Sequence, residues 1–99
     1  MKSLVEKIKE SVPTLVVFQH AGNQDAVEVK YLLQELRAKY GDRVSIVRVD
    51  ASYNGEYKVH YKLEEYPTFI LFKDGQELMR ESGRKTLGEL EDMLGRAFN

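Results

Sequence analysis

The chain has no cysteine. That excludes a disulfide, a thiolate nucleophile, a Cys-x-x-Cys redox couple and any thiolate metal site. It also lacks an excess of charge of either sign. Fifteen basic residues stand against sixteen acidic ones, a formal net charge of -1, so nothing is available to neutralise a phosphate backbone and nucleic acid is not an expected partner. Long apolar runs are missing as well. The longest, Leu15 to Phe18 and Phe69 to Phe72, are four residues each, far short of a bilayer span. The opening segment MKSLVEKIKESV has no apolar stretch of the secretory kind, which predicts a cytoplasmic protein without membrane contact. With only two prolines and no low-complexity segment, 99 residues of ordinary composition predict one small domain over 1–99.

What is present reads as alternating helices and strands. Ser3 and Glu6 have capping-box spacing, and Leu4, Val5, Ile8 and Val12 form a stripe, predicting a helix from Ser3 to Val12 that Pro13 ends. Thr14 to Phe18 is an unbroken apolar strand, as expected for a central strand buried on both faces. A polar loop leads into a long helix from Asp25 to Tyr40, with Val29, Leu32, Leu33, Leu36 and Tyr40 at helical spacing and Gly41 as its stop. Arg43 to Asp50 is a second strand. Gly55 to Leu63 reads as a short helix with Val59 and Leu63 inward. Phe69 to Lys73 and Gln76 to Ser82 are joined by Asp74-Gly75, a two-residue hairpin signal. Thr86 and Glu89 cap a last helix, Leu87 to Phe98. The order α-β-α-β-α-β-β-α predicts an α/β/α sandwich around a mixed four-stranded sheet. The expected core is Leu15, Val17, Phe18, Val29, Leu33, Leu36, Val44, Ile46, Val47, Val49, Val59, Phe69, Leu71, Leu90 and Leu94.

Residues that could carry chemistry are few. His20 and Asp25 flank the first loop, but no nucleophile accompanies them. His20 and His60 lie on separate elements without ligand spacing, so no metal site is expected. The seven glycines are dispersed and start no phosphate-binding pattern, and no cofactor is expected. Neighbouring carboxylates such as Glu64-Glu65 read as solvated charges. Tyr53, Tyr57, Tyr61 and Tyr66 fall within 14 residues, with His60 among them. Tyrosine suits interfaces, so Tyr53, Tyr57, His60 and Tyr61 are a candidate contact surface; packing along a half-buried helix is the alternative.

The run Tyr66-Pro67-Thr68-Phe69-Ile70-Leu71-Phe72-Lys73-Asp74-Gly75 resembles the thioredoxin family, in which a cis-proline precedes a strand ending in Phe-Lys-x-Gly. Leu15-Val16-Val17-Phe18, the segment LQELRAKY from Leu33 to Tyr40, Val47-Arg48-Val49-Asp50, Gly83 and the terminal helix resemble the family in register. The family's additional N-terminal edge strand has no counterpart here. The resemblance implies a cis Tyr66–Pro67 bond. It also puts the two family cysteines on Asn23 and Ala26, the preceding tryptophan on Gly22, and the intervening Gly-Pro on Gln24-Asp25. The family's buried aspartate and its lysine partner fall on Val17 and Ile46. The whole thiol apparatus is thus absent together, and the resemblance implies a redox-inactive member. Its expected role is binding a protein or peptide, or assisting assembly, through the family-equivalent surface of Gly22, Asn23, Gln24, Asp25, Ala26, Tyr66, Pro67 and Gly83. Two alternatives stand beside it: an enzyme of glutathione-transferase-like chemistry, and an oligomer-forming subunit such as a homodimer, for which the sheet edges are available.

Overall fold

The computed structural model describes residues 3–20, 22, 26–52 and 55–98. Four strands, β1 (Thr14–Gln19), β2 (Ser45–Asp50), β3 (Thr68–Lys73) and β4 (Gln76–Ser82), form one sheet in the order β2-β1-β3-β4. β1 runs parallel to β2 and antiparallel to β3; β3 and β4 are an antiparallel hairpin. The helices are α1 (Leu4–Ile8), α2 (Ala26–Tyr40), α3 (Gly55–His60) and α4 (Leu87–Phe98). This is the α/β/α sandwich expected from the element order, in the thioredoxin-like arrangement that the resemblance implies.

The period of two in β1 and β3 divides the core. Leu15, Val17, Phe69 and Leu71 face α2 and α4, where Val29, Leu33, Leu36, Leu90, Met93 and Leu94 close the layer. Val16, Phe18, Ile70 and Phe72 face the other side, against Ile8, Ala51 and Leu63, with Tyr57, Tyr61 and Tyr66 packed around them. Both central strands are therefore apolar at every position from Leu15 to Phe18 and from Phe69 to Phe72, as burial on two faces demands. The hairpin turn uses positive φ at Asp74 and Gly75, 53° and 83°. The α4 box is reciprocal: the Glu89 N–H donates to Thr86 Oγ1 at 3.2 Å, and the Thr86 N–H donates to Glu89 Oε1 at 3.1 Å.

Several expectations need correction. α1 ends at Ile8 rather than Val12, because the hairpin turn takes over its carbonyls: the Gly75 N–H donates to the Ile8 carbonyl at 3.0 Å and the Asp74 N–H to the Glu10 carbonyl at 3.1 Å. Val5 and Val12 are consequently exposed, and only Leu4 and Ile8 point inward. β2 starts at Ser45, since Gly41–Arg43 form a 3-10 turn after α2. As an edge strand it leaves Ile46, Val47 and Val49 half-buried.

Val59 is not in the core; it is 79% exposed. α3 turns Tyr57 and Tyr61 toward Phe18, with ring centroids 6.1 Å and 5.0 Å away, and a residue two positions from each lies on the opposite face. Leu63 is inward as expected, by a different device. α3 stops at His60, the Leu63 N–H donates to the Lys58 carbonyl at 2.9 Å and the Lys62 N–H to Val59 at 3.3 Å, with Lys62 at φ 55°. That is a Schellman closure with lysine in the glycine position, and it folds Leu63 back under the helix. Met93, absent from the expected core, is fully buried.

Candidate functional site

The surface expected to bind a partner is assembled from three chain segments at one end of the sheet. β1 delivers His20 and Gly22 beyond its last residue. The approach to β3 delivers Tyr66 and Pro67, and the end of β4 delivers Gly83. The Tyr66–Pro67 peptide bond is cis. Pro67 is buried, and its carbonyl accepts the Gly83 N–H at 2.8 Å, tying the β3 approach to the β4 exit. Gly83 sits at φ 86°, a conformation a side chain resists, and a Cβ there would meet the Glu65 carboxylate at 3.4 Å. Thr68 reinforces the corner. Its hydroxyl donates to the Glu65 carbonyl and lies 3.3 Å from the Ser82 hydroxyl.

Tyr66 is half-buried, and its ring lies 5.6 Å from that of His20, centroid to centroid. His20 Nδ1 accepts the Gly22 N–H at 3.4 Å, which ties Gly22 to the ring that meets the tyrosine. Ala26 opens α2 and shares a 170 Å³ cavity with Gln19, His20, Arg48 and Asp50. Asn23, Gln24 and Asp25, the remainder of the expected loop, lie outside the described residues, and so does the proposed His20–Asp25 pairing. The carboxylate near His20 among the described residues is Asp50. It is held below the usual carboxylate range by hydrogen bonds from the Ser52 hydroxyl and the Ser52 N–H, the latter at 2.9 Å, with a smaller contribution from His20.

The second candidate surface is on the α1–α3 side. Tyr57, His60 and Tyr61 line an open apolar groove of 630 Å³ together with Val5, Gly55, Glu56 and Val59. His60 meets Tyr61 edge-on at 4.6 Å. Burial raises the Tyr61 hydroxyl above the ordinary tyrosine value, and Tyr57 adds to the shift. Tyr53 lies outside the described residues. Sequence reasoning missed Val5 and Val59 as groove residues because it assigned both to buried faces. It considered His20 only beside Asp25, and no sequence signal pairs His20 with Tyr66, 46 positions later.

The chemistry available is limited. The positions matching the family's buried charged pair, Val17 and Ile46, belong to the apolar layer under α2. No group of three His, Cys, Asp or Glu side chains converges to hold a metal among the described residues. With no cysteine, the chain cannot run a thiol–disulfide cycle on its own side chains.

The thioredoxin family profile matches residues 27–96. The chain belongs to the thioredoxin family. Among individual relatives it is 30% identical over 90 residues to thioredoxin Y, chloroplastic, of Oryza sativa subsp. japonica, covering 91% of this chain and 54% of that protein. It is 29% identical over 94 residues to thioredoxin X, chloroplastic, of Arabidopsis thaliana, covering 93% and 52%. Thioredoxin 1 of Synechococcus elongatus is 30% identical over 73 residues, covering 74% and 68%. The chain thus spans about half the length of the two chloroplast relatives. A crystal structure of a designed protein superposes with a TM-score of 0.88 at 26% identity, covering 97% of this chain and 85% of that one. This chain is a thioredoxin-family member that keeps the fold and lacks the family's cysteines.

Proposed function

We propose that this thioredoxin-family domain is a redox-inactive binding module that holds an extended segment of a protein or peptide. The surface is the one formed by His20, Gly22, Ala26, Tyr66, Pro67 and Gly83, with Asn23, Gln24 and Asp25 completing the loop. One observation carries the reading. At the Tyr66–Pro67 corner three segments meet, with Gly83 bonded to Pro67 and His20 against Tyr66, in a chain that has no cysteine. A corner built by three separate segments and without redox chemistry is suited to presenting backbone and an amphipathic ring to a partner strand. The reading takes the domain to be cytoplasmic, which fractionation of the source cells checks. Among the described residues no helix is long and apolar enough to cross a membrane.

The test is chemical-shift mapping of the labelled domain against a partner captured from the native source. Perturbations centred on Gly22–Ala26, Tyr66 and Gly83 support the corner as the binding surface. Perturbations confined to α3 overturn it in favour of a second reading, in which the 630 Å³ groove of Tyr57, His60 and Tyr61 makes the contact. In that reading the groove serves a hetero-complex or a homodimer, which molar mass in solution distinguishes. A glutathione-transferase-like activity has no structural observation in its favour.

A further inference from the structure

A different face of the domain, between α2 and the free edge of β2, carries an unbalanced positive charge. Lys30, Leu33, Gln34 and Arg37 recur at i, i+3, i+4 and i+7 and so form one stripe of α2. Arg48 approaches the stripe from β2, on the strand face it shares with Ile46. These five residues line a cleft of 370 Å³. Three are cations, none is a carboxylate, and Leu33 forms an apolar wall. The Arg37 guanidinium donates to the Ile46 carbonyl at 3.4 Å, which fixes its direction over the strand edge. Lys30 and Arg48 have no hydrogen bond or ion pair among the described residues, although acidic residues are the most frequent charged type in the chain. Lys39, Arg80, Arg84 and Arg96 are each matched to a glutamate, whereas Lys58, Lys62, Lys73 and Lys85 also stand outside the ion pairs among the described residues; what sets Lys30 and Arg48 apart is that they line one cleft with Arg37.

A further donor lies beside the cleft. On the other side of Arg48, Gln19 lines the adjoining 170 Å³ cavity together with His20, Ala26 and the Asp50 carboxylate. The residue is 7% exposed, and its amide nitrogen has no hydrogen-bond partner among the described residues. A buried donor left unsatisfied is costly, and this one adds a hydrogen-bond donor beside the cleft.

We propose that this cleft binds the phosphoryl group of a small molecule. Two guanidinium forks and an ammonium present more donors than one carboxylate can accept. A phosphoryl dianion offers three acceptor oxygens and answers most of the charge. The apolar wall at Leu33 and the space toward Gln19 accommodate what the phosphoryl group is attached to. The phosphoryl cleft shares no residue with the Tyr66–Pro67 surface, although the adjoining cavity borders it at His20 and Ala26, so phosphate binding at Lys30, Arg37 and Arg48 is tested independently of that surface.

The experiment is a nitrogen-15 chemical-shift titration of the whole chain with inorganic phosphate at low ionic strength. Parallel titrations use sodium chloride at matched ionic strength and succinate as a dianion without phosphorus. Saturable shifts at the amides of residues 30–37 and 46–49, tighter for phosphate than for succinate, are expected. The Lys30→Gln, Arg48→Gln double variant removes two exposed side chains that hold no structural contact. It is expected to fold normally and to bind phosphate about tenfold more weakly. A titration with glycerol 3-phosphate separates the sources: tighter binding than inorganic phosphate identifies an ester as the ligand, equal binding identifies the free ion. Shifts that track sodium chloride, succinate binding as tight as phosphate, or a double variant that binds as the parent does would overturn the proposal.

Discussion

Truncating Leu36 to alanine tests the packing of α2 on the sheet. Leu36 is fully buried, in the layer formed by Leu15, Val17, Phe69 and Leu71 below and by Leu90, Met93 and Leu94 of α4 beside it. The change deletes three carbon groups, worth about 0.8 kcal/mol each in transfer energy, roughly 2.4 kcal/mol together. The space left behind cannot collapse readily. The floor is β1 and β3, each hydrogen-bonded on both sides, and the side wall is a capped helix. The cavity contribution brings the expected loss to about 3–4 kcal/mol, inside the 2–5 kcal/mol range for such truncations. A domain of this size has about 5–15 kcal/mol in all, and each kcal/mol moves the midpoint by roughly 4–8 °C. Thermal and urea melts of Leu36→Ala therefore show a loss of more than 10 °C. The matched control is Val59→Ala. Val59 is 79% exposed on the outer face of α3, and its truncation changes stability by less than about 0.5 kcal/mol. A loss below about 1 kcal/mol for Leu36→Ala, or a Val59→Ala loss of comparable size, would refute the packing.

Insulin reduction with dithiothreitol runs at the uncatalysed rate in the presence of this domain, because it has no cysteine; acceleration above a matched protein control contradicts that. Asn23→Cys with Ala26→Cys restores the family's cysteine spacing, and mild oxidation closes an intramolecular disulfide. Insulin reduction stays weak, since Val17 and Ile46 supply no buried acid or lysine, and failure to close the disulfide would show the register to be wrong. Gly83→Ala costs about 1–3 kcal/mol in a urea melt, because φ 86° strains any side chain; an unchanged midpoint refutes the strain. Thr86→Ala costs about 0.5–2 kcal/mol through loss of the α4 cap, read the same way. The cap is also pH-dependent. Thr86 hydrogen bonds, its backbone N–H first, hold Glu89 below the ordinary glutamate value. Its contribution is therefore complete above that ordinary value and is lost as pH falls through the lowered one. Glu89→Gln flattens this part of the acid-stability profile, and an unaltered profile refutes the assignment.

Much of the fold was legible without coordinates because its signals are local. The apolar runs of β1 and β3, the Asp74-Gly75 turn, the 16-residue helical spacing before Gly41 and the Thr86–Glu89 box each depend on residues a few positions apart. The absence of thiol chemistry was legible for a simpler reason, since no fold can supply a cysteine the chain lacks. The errors fell where distant segments decide. α1 loses its last turn because the hairpin, more than 60 residues away, takes the Ile8 and Glu10 carbonyls. α3 shows Val59 to solvent because Phe18 attracts the tyrosines on its other face, and hydropathy alone ranks valine above tyrosine for burial. The candidate sites are non-local throughout. His20 meets Tyr66, Gly83 bonds Pro67, and Arg48 comes to the Lys30–Arg37 stripe only after the chain has crossed from α2 into the neighbouring strand. Periodicity tells which face a residue occupies on its own element. Which faces then meet is decided by sheet order and by the competition of all the segments for the same two core layers.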